Sequence, residues 1–350
     1  MGKYFLGEST PQGYRTDIGR IINREDFYTY ILKGGAGTGK STLMKKIASE
    51  FSDDETDLYY CSSDPSSLDA VVLNKRKVAV IDGTSPHVFD PVYPGVSQSI
   101  VNLGECWDAG KLKANKEEIL AVTKENQEWH KRCRRYISAI SSINSDILTI
   151  SSEAVKYDKL DGFIFRFAKK HFPDKKNGVG KTEYKKLSAL TENGYSTQQL
   201  NLTDVYILND DNIAGAEYFL SRTAEILSER GYDAIVSKSG IFNNTVYEHI
   251  LIPELNLAMM TRNCINKLGL TGKPINFKRF YSPEKLRSHK ERLAFSKKAS
   301  AELLAEGANC FRQAKIVHDE IERYYISAVD FEKINDITQK LTDEIKVYRI

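Results

Sequence analysis

The sequence predicts an α/β fold made of two three-layer α/β/α modules in tandem, each followed by a long helical element. A glycine-rich motif stands between an apolar strand and an amphipathic helix, and a second apolar strand downstream ends in an aspartate. The same strand–loop–helix frame then returns in the second half of the chain. Such alternation of strands and helices is typical of α/β proteins, in which helices cover the faces of a sheet.

Composition, net charge and the lengths of the apolar runs indicate which classes of protein the chain can belong to. The 350 residues suffice for two domains, and 41% hydrophobic with 28% charged residues is typical of a globular protein in water. A net charge of +3 is too small to indicate nucleic-acid binding, so no nucleic-acid partner is expected. With no apolar run long enough for a membrane span and no leader-like segment, we expect a cytoplasmic protein without a membrane partner. The five cysteines lack metal-ligand spacing and are expected to be reduced.

The glycine-rich motif has the form G-x-x-x-x-G-K-[ST]. The strand signal "FYTYILK" (27–33) precedes it and the helix signal "STLMKKIASEF" (41–51) follows it. In this context the glycines let successive backbone amides turn towards phosphate oxygens, and the helix N-terminus adds positive potential. The predicted nucleotide-binding residues are Gly34, Gly35, Ala36, Gly37, Thr38, Gly39, Lys40, Ser41 and Thr42.

Two residues are predicted to be catalytic and two to hold Mg²⁺. Lys40 is expected to reach the β- and γ-phosphates, and the Ser41 hydroxyl to ligate the metal. The strand signal "KVAVIDG" (77–83) ends in Asp82, which has the form of a Walker B carboxylate. We therefore predict Lys40 and Asp82 as catalytic residues, and Ser41 and Asp82 as metal ligands.

No glutamate follows this aspartate, although many ATPases use one there to activate water. Asp64, His87 and Asp90 are the nearby candidates for orienting water or substrate. Asp64 and Asp90 both precede proline, and for them turn formation is an equally good interpretation.

The second half repeats the frame of the motif without its chemistry. "YILNDDNIAGAEYFL" (206–220) aligns with "YILKGGAGTGKSTLM" (30–44) at a shift of 206 − 30 = 176. The apolar helix positions are kept, but the motif's lysine and serine are replaced by Ala216 and Glu217, and Thr261 stands in place of the metal-binding aspartate. The second copy is therefore predicted to fold without binding a triphosphate, which its acidic side chains would repel.

A long helical pattern follows each copy: mostly apolar residues recur three or four apart across 119–154, and the counterpart across 293–328 keeps eight of these positions. We expect these stripes to pack on each other or on their own cores, as intramolecular packing between the two modules. An open stripe for a protein partner is the alternative. The polar segment 171–181 is the predicted linker, so the predicted domains are 1–175, the active module, and 180–350, the degenerate one.

Four runs point to a known family. The chain resembles poorly characterised bacterial ATPases built from two P-loop modules in tandem, through "GGAGTGKSTLMKKIA", "CSSDPSSLDAVV", "VAVIDGTSPHVFDPVYPG" and "VNLGECWD", which lie within residues 34–108. The resemblance implies P-loop NTPase modules that bind ATP at residues 34–42, with Asp82 as the metal partner and ATP and Mg²⁺ as cofactors. Members of the family can carry a usable loop in both halves, and this chain departs from them there.

The sequence thus predicts an ATP-binding protein, an Mg²⁺-dependent ATPase with one active site and an inactive second repeat. A small-molecule or nucleotide kinase is one alternative, with "HKRCRRY" (130–136) as a lid, although this run also fits solvated helix faces around a buried cysteine. A nucleotide-gated scaffold or switch without significant turnover is another. Arg166, Arg222 and Arg262 are conceivable charge-neutralising partners. ATP is preferred to GTP because of the resemblance and because no N-K-x-D motif is found.

Overall fold

The computed structural model describes residues 2–85, 88–175 and 178–348, so the candidate His87 lies outside the described residues. Its first half contains β1 (Gly2–Phe5), β2 (Gly7–Thr10), β3 (Gly13–Thr16), α1 (Ile18–Ile22), β4 (Tyr28–Lys33), α2 (Lys40–Glu50), β5 (Thr56–Tyr60), β6 (Leu68–Leu73), β7 (Val78–Asp82), β8 (Gln98–Asn102), α3 (Ala109–Ala114), α4 (Lys116–Ala154) and α5 (Tyr157–His171). Its second half contains β9 (Thr182–Tyr184), β10 (Ser188–Thr191), β11 (Gly194–Thr197), β12 (Asp204–Asn209), α6 (Ala214–Glu229), β13 (Ala234–Lys238), β14 (Tyr247–Ile252), β15 (Leu257–Arg262), β16 (Lys273–Asn276), α7 (Pro283–Ser288), α8 (Lys290–Ile326) and α9 (Phe331–Val347).

Two six-stranded mixed sheets make the protein an α/β protein, as predicted. The first has the strand order β1-β5-β6-β7-β4-β8 and the second the order β9-β13-β14-β15-β12-β16. In both, the two ladders formed by the third strand are antiparallel and the other three are parallel. The two halves therefore share one sheet topology, which is what an internal duplication predicts.

The elements expected around the glycine-rich motif are confirmed. The strand signal at 27–33 is β4, the helix signal at 41–51 is α2, and the strand signal at 77–83 is β7. β4 and β7 are buried because apolar side chains cover both of their faces, and α2 buries one apolar stripe. This local order places the loop after β4 at the carboxyl end of the strand.

The chain divides into two compact units, but not at the predicted linker. The first unit comprises 2–8, 14–132 and 309–348 within the described chain, and the second comprises 9–13 and 133–308. The predicted division into 1–175 and 180–350 assigned each helical element to the half that precedes it. In the structure these elements are exchanged: the end of α8 and α9 belong to the first unit, and α5 with most of α4 belongs to the second.

Apolar burial accounts for the exchange. On α9, Ile334, Leu341 and Ile345 are buried in the same cluster as Leu43 and Ile47 of α2. On α5, three buried apolar side chains join the aromatic core of the second unit, which also holds side chains of α6; they are Leu160, Ile164 and Phe167. Helical periodicity identifies which face of a helix is buried, but it does not identify the surface that covers that face.

The long helix α4 contains the basic run considered as a lid. Cys133 is buried and its neighbours Lys131 and Arg134 are exposed, so the interpretation as solvated faces around a buried cysteine is confirmed. The five cysteines, all among the described residues, form no disulfide, and four of them are buried. Among the described helices, none is long and apolar enough to cross a membrane.

Candidate functional site

The loop between β4 and α2, residues 34–39, is called the glycine loop below. Gly37 and Gly39 have φ angles of +67° and +79°, in the left-handed region that favours glycine. Gly39 directly precedes the first residue of α2, so the loop turns sharply into the helix N-terminus. Gly35 is constrained differently, because a Cβ there would lie 2.7 Å from the ring of Tyr325.

Lys40 is the central cation of this loop. Its Nζ donates hydrogen bonds to the carbonyl oxygens of Gly34 (2.8 Å) and Gly35 (2.7 Å). The same Nζ lies 3.6 Å from Oδ2 of Asp82, and both side chains are largely buried. The two residues predicted to be catalytic are therefore brought together, because β7 pairs with β4 and ends beside the loop.

Ser41 and Asp82, the predicted metal ligands, are both hydrogen-bonded within the protein. The Ser41 hydroxyl accepts a hydrogen bond from the backbone N–H of Leu68 at 2.9 Å. Oδ1 of Asp82 accepts from the backbone N–H of Thr84 at 2.9 Å and also from the Thr84 hydroxyl. A hydroxyl oxygen has two lone pairs and a carboxylate has more, so these bonds orient both groups and leave acceptor capacity for a cation.

The remaining predicted loop residues shape the turn or are exposed. Thr38 is almost fully buried, and its hydroxyl donates to the carbonyl of Gly35 at 2.8 Å. Ala36 is half-buried and Thr42 is exposed. Thr38 therefore stiffens the curl of the loop, whereas Thr42 contributes to the site only through its backbone position in the first turn of α2.

The candidate water-orienting acids are both ion-paired. Asp64 lies 3.2 Å from Nζ of Lys315 on α8. Burial raises the pKa of Asp64, but hydrogen bonds from Ser66 and the Lys315 ammonium more than compensate and hold it below its usual value. A carboxylate with a lowered pKa is a weak base. Asp90 is exposed and lies 3.0 Å from the ammonium of Lys33, so it anchors its own loop to β4.

A residue that sequence reasoning missed touches the glycine loop. Oε1 of Glu322, near the end of α8, accepts a hydrogen bond from the backbone N–H of Gly37 at 3.2 Å. The two residues are 285 positions apart, and no pattern in the sequence links them. His318 and Asp319 lie on the same stretch of helix, and their ligand atoms and the Glu322 carboxylate lie within 4.8 Å of one another.

The corresponding loop of the second unit, residues 210–213, is called the second loop below. The Asp210 side chain is buried; its Oδ2 accepts from the N–H of Ala216 (2.8 Å) and from the Tyr281 hydroxyl (2.7 Å). Its Oδ1 accepts from the N–H of Asn212 at 3.1 Å, and the Tyr281 hydroxyl also accepts from the N–H of Gly215 at 2.6 Å. Burial raises the pKa of Asp210. One amide of the second loop and two in the first turn of α6 therefore already have oxygen acceptors within the second unit.

The second loop is also shorter than the alignment predicts. At a shift of 176 Lys40 corresponds to residue 216, but α6 begins at Ala214, which is 216 − 214 = 2 residues earlier. The left-handed residue before the helix is Ile213 (φ +71°) rather than Gly215, which the alignment pairs with Gly39. The buried face of α6 nevertheless keeps the shift, so only the loop has changed.

Strand register supports the prediction that the second unit has no carboxylate at the position of Asp82. Asp82 lies opposite Leu32 in the first sheet, and Thr261 lies opposite Leu208 in the second. Since Leu32 and Leu208 are aligned at the shift of 208 − 32 = 176, Thr261 stands where Asp82 stands. A hydroxyl there cannot supply the negative charge that a metal–phosphate site requires.

The second unit also contains a buried serine–histidine pair. Oγ of Ser188 lies 2.7 Å from Nε2 of His249. The N–H of Thr261 donates to Nδ1 of His249, so Nε2 carries the ring proton and donates it to the serine. Burial lowers the pKa of His249 to about 3. Because the histidine donates its proton to the serine, it cannot accept the serine proton as a general base. The pair instead stabilises the buried core.

The three arginines considered as charge-neutralising partners belong to the second unit. The guanidinium of Arg262 donates to the carbonyls of Leu268 (3.2 Å) and Leu270 (2.7 Å), so it holds a loop. Arg222 pairs with Glu225 on the surface of α6, and Arg166 is exposed on α5. Of the three guanidinium groups, that of Arg262 is therefore held by backbone carbonyls and has a structural role.

Comparison with known proteins gave no match to any family model, curated protein or solved structure. The functional inference therefore depends on the geometry of the glycine loop. That geometry gathers the Gly37 amide, a largely buried lysine, a carboxylate and a hydroxyl at the carboxyl ends of two parallel strands. In open α/β sheets, ligands bind at this edge.

Proposed function

We propose that the first unit is a P-loop NTPase module that binds ATP with Mg²⁺ and hydrolyses it, and that the second unit is its inactive repeat. The observation that carries this proposal is the position of Lys40, whose ammonium is fixed by Gly34 and Gly35 and faces Asp82. An ammonium held by the carbonyls of this loop at the N-terminus of a helix matches the charge of a triphosphate.

The residues present fit the ligand. The N–H of Gly37 already donates to a carboxylate, so the loop is able to hold an anion. Lys40 would neutralise charge on the transferred phosphoryl group, while Asp82 and the Ser41 hydroxyl would hold Mg²⁺. Bound Mg²⁺ supplies further charge neutralisation and orients the phosphate oxygens. The hydrogen bonds from Thr84 to Asp82 and from Leu68 to Ser41 position these two ligands in advance.

Lys40→Ala tests the assignment. We expect turnover of Mg²⁺–ATP to fall by at least about 100-fold, because the charge that stabilises the transition state is lost. The matched control is Lys45→Ala, since Lys45 lies on the same helix but is exposed. Phosphate release is measured with ATP and with GTP, and circular dichroism checks that both variants are folded. Substantial turnover by Lys40→Ala would remove this site from the mechanism.

A nucleotide-gated switch with little turnover is the second candidate. It is favoured by the ion pairs of Asp64 and Asp90, which leave neither carboxylate as an evident base for activating water. Tight Mg²⁺–ATP binding by the wild type, without phosphate release and without ADP formation when metabolites are added as acceptors, would favour the switch over an ATPase or a kinase.

A further inference from the structure

Glu322 places a negative charge where the proposed function requires a phosphate. Its Oε1 accepts from the N–H of Gly37, at the centre of the glycine loop. A backbone amide that is aimed at a phosphate oxygen can equally well donate to a carboxylate, because both are anionic acceptors. A phosphate oxygen can take this amide only if Glu322 leaves it.

At the second loop a carboxylate also accepts from backbone amides, but there the carboxylate is buried. There the carboxylate of Asp210 accepts from the N–H groups of Asn212 and Ala216. Asp210 is 3% exposed and belongs to the loop itself. The side chain of Glu322 is 35% exposed and comes from a separate helix. Water competes for an exposed carboxylate, so Glu322 can be released, whereas Asp210 cannot be released without opening a core.

The end of α8 packs directly on the glycine loop. A Cβ at Gly37 would lie 3.0 Å from the backbone oxygen of Glu322 and 3.0 Å from Ile326, and one at Gly35 would meet Tyr325. The loop and the helix end are thus in van der Waals contact. The helix end that carries Glu322 therefore contacts the loop through its backbone and neighbouring side chains as well as through the carboxylate.

The helix end is tied to the "VNLGECWD" run, which the proposed function left without a role. The ring of Trp107 meets Tyr325 edge-on at 5.7 Å. The N–H of Asp108 donates to the carbonyl of Ala328 (2.7 Å), and the N–H of Asp330 donates to the carbonyl of Cys106 (2.8 Å). The run therefore fastens the turn between α8 and α9 to the edge of the first sheet.

We propose that Glu322 is a built-in competitor for phosphate: it occupies the Gly37 amide when nucleotide is absent, and nucleotide binding expels it and loosens the end of α8. This proposal rests on the proposed function and adds a regulatory device to the same site. Nucleotide binding at the glycine loop thereby also affects the α8–α9 turn and the run at 101–108, which contact the end of α8.

Glu322→Gln tests the competition. Removing the charge weakens the contact with Gly37, and we expect the Kd for a non-hydrolysable ATP analogue with Mg²⁺ to fall by about threefold to fivefold. Glu320→Gln is the matched control, because Glu320 is exposed on the same helix. Lys40→Ala is measured in parallel, and pyrophosphate serves as a second probe in every titration.

The outcomes separate the two proposals. Tighter binding by Glu322→Gln, with unchanged binding by Glu320→Gln, supports the competitor. Binding by the wild type that Lys40→Ala loses but Glu322→Gln leaves unchanged or weakens would overturn the competitor while keeping the nucleotide site. Unchanged affinity with lost hydrolysis would also overturn it and would assign Glu322 to the chemistry.

If no variant binds the analogue, the proposed function fails. Pyrophosphate binding that is tighter in Glu322→Gln than in the wild type would then support the competitor alone, and pyrophosphate binding that is not tighter would reject the competitor as well.

Hydrogen exchange gives an independent readout. In the wild type we expect peptides covering residues 318–330 to exchange faster when the analogue is added. In Glu322→Gln the same peptides should already exchange fast without it. Equal protection in all four states would contradict the proposed coupling.

Discussion

The two loops of this protein stand at the same place in the same sheet topology, and in both a carboxylate accepts from a backbone amide. At the second loop the acceptors are the Asp210 carboxylate and the Tyr281 hydroxyl, which are both buried and hydrogen-bonded to each other. The glycine loop is two residues longer, is followed directly by Lys40, and donates from Gly37 to a half-exposed carboxylate of α8. A backbone amide that is turned into such a loop requires an acceptor, and the two loops differ in whether that acceptor is fixed or exchangeable.

The largest expected difference between the units appears in acid. His249 is buried in the second unit with a pKa of about 3, and by strand register its counterpart in the first unit is Ala70. A depressed pKa in the folded state gives stability that is present above the ordinary histidine value near 6.5 and is lost as the pH falls towards 3. The full shift corresponds to a loss of about 5 kcal/mol.

Hydrogen-exchange protection across this pH range checks the prediction. Peptides from β14 should lose protection at a higher pH than peptides from β6. In His249→Gln the pH dependence of β14 should flatten, because the titrating ring is gone. Parallel loss of protection in both sheets, unchanged by the substitution, would refute this reading.

The next effect concerns the two carboxylates. Asp210→Ala removes the acceptor for three donors in a buried site, and we expect it to lower the free energy of unfolding by about 2 to 4 kcal/mol. Glu322→Ala removes an exposed carboxylate from one amide and should cost at most about 1 kcal/mol. Urea denaturation of both variants measures the difference. Equal losses in the free energy of unfolding would mean that the Glu322 carboxylate is held as firmly as that of Asp210, contrary to the difference described between the two loops.

The smallest effect is expected at Asp64. Asp64→Asn breaks the pair with Lys315, which should change stability by about 1 kcal/mol or less. Turnover should change by less than about threefold, because a carboxylate with a lowered pKa is a poor base. Steady-state kinetics with Mg²⁺–ATP checks this. A large fall in turnover with unchanged affinity would instead identify Asp64 as the group that orients water.

The sequence predicted the local parts of this structure well. β4, α2 and β7 follow from strand and helix periodicity, and the repeated frame led to the shared sheet topology. These features depend on contacts close in sequence or on a pattern that occurs twice. The meeting of Lys40 and Asp82 followed because parallel strands end at one edge.

The sequence did not predict what covers each loop. Glu322 reaches Gly37 across 285 residues, and Tyr281 reaches Gly215 across 66. A glutamate on an amphipathic helix looks like any solvated surface residue, and a tyrosine before a short helix looks like ordinary core. The exchange of helices was missed for the same reason, because α5 and α9 have apolar faces that would fit either core.

The exchange of helices has a consequence for synthesis. On the ribosome, the first sheet emerges long before α9, which supplies Ile334 and Leu341 to its core. The interval from Cys106 to Phe331 is 331 − 106 = 225 residues, which takes roughly 10 to 50 s at ordinary translation rates. During that time the nascent first sheet lacks part of its apolar cover. The second sheet receives α5 before its own strands appear, so the half predicted to be inactive completes its core first.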